Sequence, residues 1–121
     1  MTVLAVALAG ALGAPARYLV ERGISSRTGR RFPFGTLVVN VTGSLALGFI
    51  TGLALYHGLA STPRAVVGTG FIGAYTTFST YAYETIDVAE RSSSRLATTY
   101  AVASIVAGVA AATLGLVLAA I

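Results

Sequence analysis

The sequence predicts an all-α membrane protein with four transmembrane helices, on two observations. Of its 121 residues, 55% are hydrophobic and only 10% are charged, and the mean hydropathy is +0.81. A soluble domain carries about 25% charged residues, and so short a chain has no core large enough to bury this much apolar surface. Apolar stretches of about 20 residues, the length needed to cross a bilayer, also alternate with short polar connectors. We therefore predict one membrane domain over residues 1–121.

Four apolar stretches form the predicted spans. They cover roughly residues 3–20, 34–56, 65–88 and 96–120. Because lipid offers no hydrogen-bond partners, each span must be helical, or broken only where protein or water shelters the backbone. The first stretch lacks a basic segment before it, so we interpret it as a span and not as a cleaved signal peptide.

The connectors contain residues that begin helices. Pro33 ends the first connector and suits the first turn of the second span. In the second connector, Ser61 and Thr62 are both suitable N-caps, and Pro63 would lie in the first turn. The third connector, residues 90–95, is short enough to force an antiparallel helical hairpin.

The third span is predicted to be broken near its middle. Gly73 is followed by the hydroxyl residues Thr76, Thr77, Ser79 and Thr80. This composition weakens a helix interior, and unwinding would free carbonyls that can hold a cation. Phe78 and Tyr81 share a helical face, and the positive edge of an aromatic ring can meet an anion. The alternative is an aromatic packing cluster with hydroxyls bonded to the preceding turn.

Polar residues inside the other spans recur every four positions, which keeps them on one helical face. The second span carries Thr36, Asn40 and Ser44, and the fourth carries Tyr100 and Ser104. Such residues form either a polar path across the membrane or hydrogen bonds that join neighbouring helices.

Small residues indicate close packing of the helices. They include Gly48 and Gly52 in the second span and Gly108, Ala112 and Gly115 in the fourth. In lipid, the hydrophobic effect does not hold helices together, and close backbone contact through small residues takes its place. We therefore expect tight packing of the helices or oligomerisation.

The charges predict topology. All eight basic residues are arginines, and the net charge is +4. The first and third connectors carry Arg22, Arg27, Arg30, Arg31, Arg91 and Arg95, whereas the second carries only Arg64. The positive-inside rule therefore places both termini outside. Arg17, near the end of the first span, is expected to snorkel towards the basic side. No basic and aromatic surface predicts nucleic-acid binding.

Catalytic chemistry is not predicted. The chain has no cysteine and only one histidine, His57, so it offers neither a thiolate nor a histidine metal cluster. Glu84 and Asp87 resemble a carboxylate pair, but they lie beside Arg91 without a nucleophile or metal ligand. Glu84 is expected to be protonated or paired with a loop arginine, and both alternatives stay open.

Three ordered motifs resemble those of a known family. The runs GAPARY (residues 13–18), PFGTLVVNVTGSLALG (33–48) and GFIGAYTTFSTYAYE (70–84) resemble signature motifs of the Fluc/CrcB fluoride channels. With the length and the four-span layout, the resemblance extends over essentially the whole chain. It implies an inner-membrane channel that exports cytoplasmic fluoride passively through two pores in an antiparallel two-chain assembly.

The resemblance also implies roles for individual residues. Asn40 matches the pore asparagine, Phe78 matches the first pore aromatic, and Tyr81 takes the second position, where Phe is usual. Backbone carbonyls at Gly73 and Thr76 match those that hold a structural Na+ at the dimer centre. The matches to the polar track beside the pore are Ser79, Thr80, Tyr100 and Ser104.

Alternatives from other classes remain at this stage. A small multidrug-type proton-coupled transporter needs a carboxylate in the middle of its first span, whereas Glu21 lies at the span's end. The chain also has no Trp, the residue that would bind a cationic substrate through its ring. A structural membrane subunit is a further alternative. The partner chain would be a second copy or, given six arginines against one, a homologue of opposite orientation.

Overall fold

The structure is a computed structural model that describes residues 1–121, and it contains helices and connectors without strands. The elements are α1 (Thr2–Thr28), α2 (Phe34–Tyr56), α3 (Ser61–Arg64), a π-helical segment (Ala65–Ile72), α4 (Gly73–Tyr75), α5 (Phe78–Arg91) and α6 (Ser94–Leu118). Helices α1, α2 and α6 are each long and apolar enough to cross a membrane. The third crossing is assembled from the four shorter elements. The predicted all-α membrane fold with a broken third helix is confirmed.

Most of the apolar surface faces outward. Only 18 of the 121 residues are buried, and large side chains such as Leu12 and Val106 are more than half exposed. In water such a surface would aggregate, whereas lipid solvates it. The protein is therefore a multi-pass membrane protein.

The closest helix packing joins α2 to α6 through glycines. A Cβ atom on Gly48 would overlap the backbone carbonyl of Ala112, and one on Gly115 would overlap that of Leu45. A Cβ on Gly52 would lie 2.5 Å from the Cβ of Ala119, the residue that follows α6. The small-residue packing expected from the sequence is confirmed for these positions. Gly108 differs. A Cβ on this residue would meet only the Ser44 hydroxyl, at an ordinary van der Waals distance of 3.6 Å.

Helix α1 packs against the π-helical segment in the same way. A Cβ on Gly13 would overlap the Phe71 carbonyl, and one on Gly70 would lie 2.7 Å from the Val6 carbonyl. Helix α1 also continues to Thr28, beyond the predicted end of the first span at residue 20, with Pro15 inside it.

The third crossing breaks at Thr76 and Thr77, not at Gly73. Gly73 keeps helical dihedrals (φ −61°, ψ −36°), and its N–H donates to the Gly68 carbonyl. Thr76 and Thr77 are extended, with ψ values of 159° and 124°. Gly73 itself stays helical, because the π-helical segment supplies the hydrogen bond of its N–H. The predicted break lies three residues later.

Two helix starts also differ from expectation. Pro33 is the N-cap of α2 and precedes its first turn. Ala60 is the N-cap of α3 without a side-chain bond, so neither Ser61 nor Thr62 caps that helix. Between α5 and α6, the short connector forms the predicted helical hairpin, and the Ser93 hydroxyl accepts from the Leu96 N–H.

Candidate ion pathway

The break in the third crossing is bonded to α2 through one side chain. The Asn40 amide nitrogen donates to the Thr77 carbonyl at 2.8 Å, and the Thr77 N–H donates to Asn40 Oδ1 at 2.8 Å. Both backbone polar groups of Thr77, its N–H and its C=O, therefore bond to the same side chain of α2. In a continuous helix this N–H would bond to the Gly73 carbonyl.

Thr77 also begins the second half of the crossing. Its hydroxyl accepts from the Thr80 N–H at 3.2 Å, which caps the first turn of α5. The same hydroxyl donates to Thr80 Oγ1 at 3.0 Å. A single threonine thus ends the unwound stretch and restarts the helix, and it was not among the predicted site residues. The spacing of a threonine three residues before Thr80 was the available sequence signal.

A groove of about 490 Å³ lies next to the break. Its walls come from α2, the broken crossing and α6, and they include Asn40, Gly43, Ser44, Leu47, Thr76, Thr77, Phe78, Tyr81, Ser104 and Ile105. Four predicted pore residues thus meet at one surface, Asn40, Phe78, Tyr81 and Ser104, together with Thr76 of the predicted Na+ site. Ser44, from the predicted polar face of α2, joins them.

The aromatic residues of the groove differ in their surroundings. Phe78 is 79% exposed, so it projects from the chain instead of packing within it. Its ring centre lies 5.8 Å from that of Tyr81, which is 5.7 Å from that of Tyr100. The Tyr81 hydroxyl donates to the Ala101 carbonyl of α6 at 3.3 Å. A tyrosine at this position therefore has a partner for its hydroxyl and still lines the groove.

Ser104 brings a polar group to the groove that nothing in the chain uses. The residue is 9% exposed, and its hydroxyl has no hydrogen-bond partner. Buried polar groups in proteins are rarely left without a partner. The Ser104 hydroxyl is therefore unpaired within the chain, but its oxygen is buried, so it reaches a ligand only when the side chain turns into the groove that the residue lines.

The remaining predicted pore residues lie elsewhere. Thr80 lines a second cleft, between the first connector and α5, together with Glu84, Asp87, Arg30 and Arg91. Ser79 is exposed and lines neither cleft. Tyr100 is completely buried, and it also lines neither cleft.

Three charged residues of α5, Glu84, Asp87 and Arg91, have partners. The Tyr100 hydroxyl donates to Glu84 Oε2 at 3.0 Å. Glu84 thus has a tyrosine as its partner and not the loop arginine that one of the two expectations named. Asp87 forms an ion pair with Arg91. The hydrogen bond to Asp87 raises the pKa of Arg91, so this guanidinium stays charged at the membrane surface.

Two backbone carbonyls near the break are suited to a cation. The Gly73 carbonyl has lost the Thr77 N–H to Asn40, and Gly73 is exposed at the surface of the chain. The Thr76 carbonyl accepts from Arg17 Nη1 at 3.3 Å and keeps its second lone pair. Carbonyl oxygens freed by an unwound helix are typical ligands of Na+ in membrane proteins, so the chemistry of both groups suits such an ion, although a Na+ at Thr76 would share that carbonyl with the positively charged Arg17 guanidinium.

The Arg17 side chain does not extend in the expected direction. It was predicted to snorkel to the basic membrane surface, but its guanidinium bonds to the Thr76 carbonyl at the break. The physical reason is that the unwound backbone offers a carbonyl acceptor within reach of α1, which replaces the hydration that snorkelling would provide.

Comparison with known proteins identifies relatives over nearly the whole chain. The model of the family described as "CrcB-like protein, Camphor Resistance (CrcB)" matches residues 4–116. The chain is 49% identical to the fluoride-specific ion channel FluC 1 of Leifsonia xyli, over 96% of this chain and 85% of the relative. It is 48% identical to FluC 2 of Cutibacterium acnes, over 98% of this chain and 97% of the relative.

A third relative has a similar match. The fluoride-specific ion channel FluC of Acidobacterium capsulatum is 47% identical over 97% of this chain and 94% of its own length. These relatives carry the name of an ion channel and not of an enzyme. The family match and the identities of nearly half over the full length agree, and the chain belongs to the CrcB-like protein family.

Proposed function

We propose that this protein is a fluoride-selective channel of the cell inner membrane that exports cytoplasmic fluoride passively. The observation that carries the proposal is the groove at the break, where hydroxyl and amide donors meet an aromatic pair. The names of the relatives support the same ion. The alternatives, a multidrug-type transporter and a structural subunit, have no such support.

Fluoride is small and strongly hydrated, so a pore must replace its water with hydrogen-bond donors. The amide of Asn40 supplies donors in the groove, and the unpaired hydroxyl of Ser104 adds another when its side chain turns towards the ion. The edges of Phe78 and Tyr81 add positive potential without a full charge that would trap the ion. No carboxylate lines this groove. The resemblance also assigns Thr80, Ser79 and Tyr100 to the polar track, of which Thr80 lines the second cleft and the other two line neither cleft.

The groove is open along one side in a single chain, and Phe78 projects from it. Closing the groove therefore needs a second chain, either another copy or a homologue, in antiparallel orientation, which gives two equivalent pores. A twofold axis through the break would bring the Gly73 and Thr76 carbonyls of both chains together. Those carbonyls would hold a structural Na+, which would supply a positive charge that joins the chains.

A fluoride-efflux assay on proteoliposomes tests the function. We expect fluoride efflux with little chloride efflux from vesicles that contain the protein, alone or with an oppositely oriented homologue. Phe78→Ile should abolish efflux while the two-chain assembly still elutes unchanged from a sizing column. Efflux no faster than from empty vesicles would exclude the channel, and loss of assembly in Phe78→Ile would favour a packing role for that ring.

A further inference from the structure

We propose that Asn40 is a positioning residue that holds the third crossing open at Thr77, in addition to lining the groove. The proposal rests on the channel function and names the residue that shapes its pathway. The observation behind it is the pair of 2.8 Å hydrogen bonds between the Asn40 amide and the two polar groups of Thr77.

The conformation of Thr77 explains why one side chain reaches both groups. Thr77 is extended, with φ −147° and ψ 124°. In an extended residue the N–H and the C=O point to the same side of the chain, as in a hydrogen-bonded pair of antiparallel strands. The Asn40 amide takes the place of the opposite strand. It therefore satisfies a backbone unit that is only 7% exposed and lies within a membrane crossing.

An amide is the group that this geometry requires. It offers a carbonyl acceptor and an N–H donor in one plane, and a second N–H remains. Aspartate offers no donor for the Thr77 carbonyl, and leucine offers neither group. Asn40 thus holds the break with one N–H and keeps the other for an anion in the groove that it lines.

The bond has consequences on both sides of the break. On the N-terminal side, it withdraws the Thr77 N–H from the Gly73 carbonyl. On the C-terminal side, α5 begins at Phe78, the next residue, so the direction of this ring depends on the position of Thr77. Loss of the Asn40 amide should therefore disturb the pathway even where Asn40 itself does not touch the ion.

Amide hydrogen exchange separates this role from that of a simple pore lining. The experiment compares the wild-type assembly with Asn40→Leu and Ser44→Ala, each labelled with ¹⁵N-threonine in nanodiscs. Ser44 is a matched control, because it lies one turn further along α2 and lines the same groove without a hydrogen bond to the break. Asn40→Ala replaces Asn40→Leu if the larger side chain prevents assembly. Fluoride efflux of each protein is measured in parallel.

We expect exchange of the Thr77 amide to be at least tenfold faster in the Asn40 variants and unchanged in Ser44→Ala. A slower rate would show that Thr77 has returned to the Gly73 carbonyl, which also supports the role. A Thr77 exchange rate within twofold of wild type in an Asn40 variant that has lost efflux would overturn it and leave a ligand role alone. Absence of efflux in the wild type would instead refute the channel function.

Discussion

At the scale of single residues, the groove depends on groups whose hydrogen bonds the sequence does not show. Ser104 and Tyr81 both present hydroxyls there, yet only the Tyr81 hydroxyl has a partner in the chain, the Ala101 carbonyl. The two hydroxyls should therefore respond differently to removal.

Ser104→Ala should slow fluoride efflux by at least tenfold. The reason is that the lost hydroxyl is an unpaired donor beside the groove, and a hydrogen bond to an ion contributes about 1.5–3 kcal/mol. Folding should change little, because no bond within the chain is lost. Efflux from proteoliposomes, with thermal unfolding in detergent as the control, checks both points. Unchanged efflux would remove Ser104 from the pathway.

Tyr81→Phe should keep most of the efflux. The ring and its positive edge remain, and the change restores the residue usual in the family, while the hydrogen bond to Ala101 is lost. We expect the free energy of unfolding to fall by about 1 kcal/mol. Tyr81→Leu, which removes the ring, is the matched comparison and should lose efflux. If Phe and Leu were equally inactive, the hydroxyl and not the ring would be the essential group.

At the scale of elements, the contact between α2 and α6 fixes the two outer walls of the groove. The two helices approach at Gly48 and Gly115, where carbonyls of the opposite helix occupy the space of a side chain. The sequence predicted this contact from glycine spacing, because close backbone approach in lipid needs small residues. It did not show which glycines touch the partner helix.

Gly48→Ala should destabilise the protein by about 1–3 kcal/mol, since its methyl group would displace the Ala112 backbone. Gly108→Ala is the matched control in the same pair of helices, because its methyl group would meet only the Ser44 hydroxyl at 3.6 Å. Thermal unfolding in detergent measures the difference. Equal melting temperatures for the two variants would contradict the packing.

At the scale of the whole molecule, the break and the surface arginines concern an assembly of two chains. At the proposed Na+ site, the Gly73 and Thr76 carbonyls would supply two oxygens from one chain. A second chain related by a twofold axis would supply the others. The arginines of the first connector are exposed, so packing does not offset their charges.

Purification without Na+ should weaken the two-chain assembly. The proposed site joins the chains, so replacing Na+ with N-methylglucamine from cell lysis onwards should reduce the dimer fraction and fluoride efflux together. Sizing chromatography and efflux measure these quantities, and restoring Na+ should recover both. A dimer that stays intact and active in N-methylglucamine would argue against the ion.

The arginine count predicts one dominant orientation, with the C-terminus outside the cytoplasm. Loops that carry arginines near the span ends stay on the cytoplasmic side of the membrane. This chain has six such arginines on one side and one on the other. A reporter fused to the C-terminus should therefore be active on the outer side only, and efflux should then need a homologue of reverse bias. Reporter signal on both sides would instead support an antiparallel homodimer of this chain.

The sequence by itself determined the solvent, the helices and the family. The length of the apolar stretches predicts the membrane crossings, and the run of glycine and hydroxyl residues predicts a break within the third crossing. Both predictions succeed because each depends only on the local sequence. The motifs also selected Asn40, Phe78, Tyr81 and Ser104, which the structure brings together at one groove.

Only the tertiary structure decided where the backbone opens and what holds it. Gly73 stays helical because the π-helical segment accepts its N–H, and the extended Thr77 bonds through both its N–H and its C=O to Asn40, 37 residues away in sequence. Arg17 likewise turns to the Thr76 carbonyl, 59 residues distant. These bonds depend on which helices lie side by side, and local propensity and hydropathy contain no information about that arrangement.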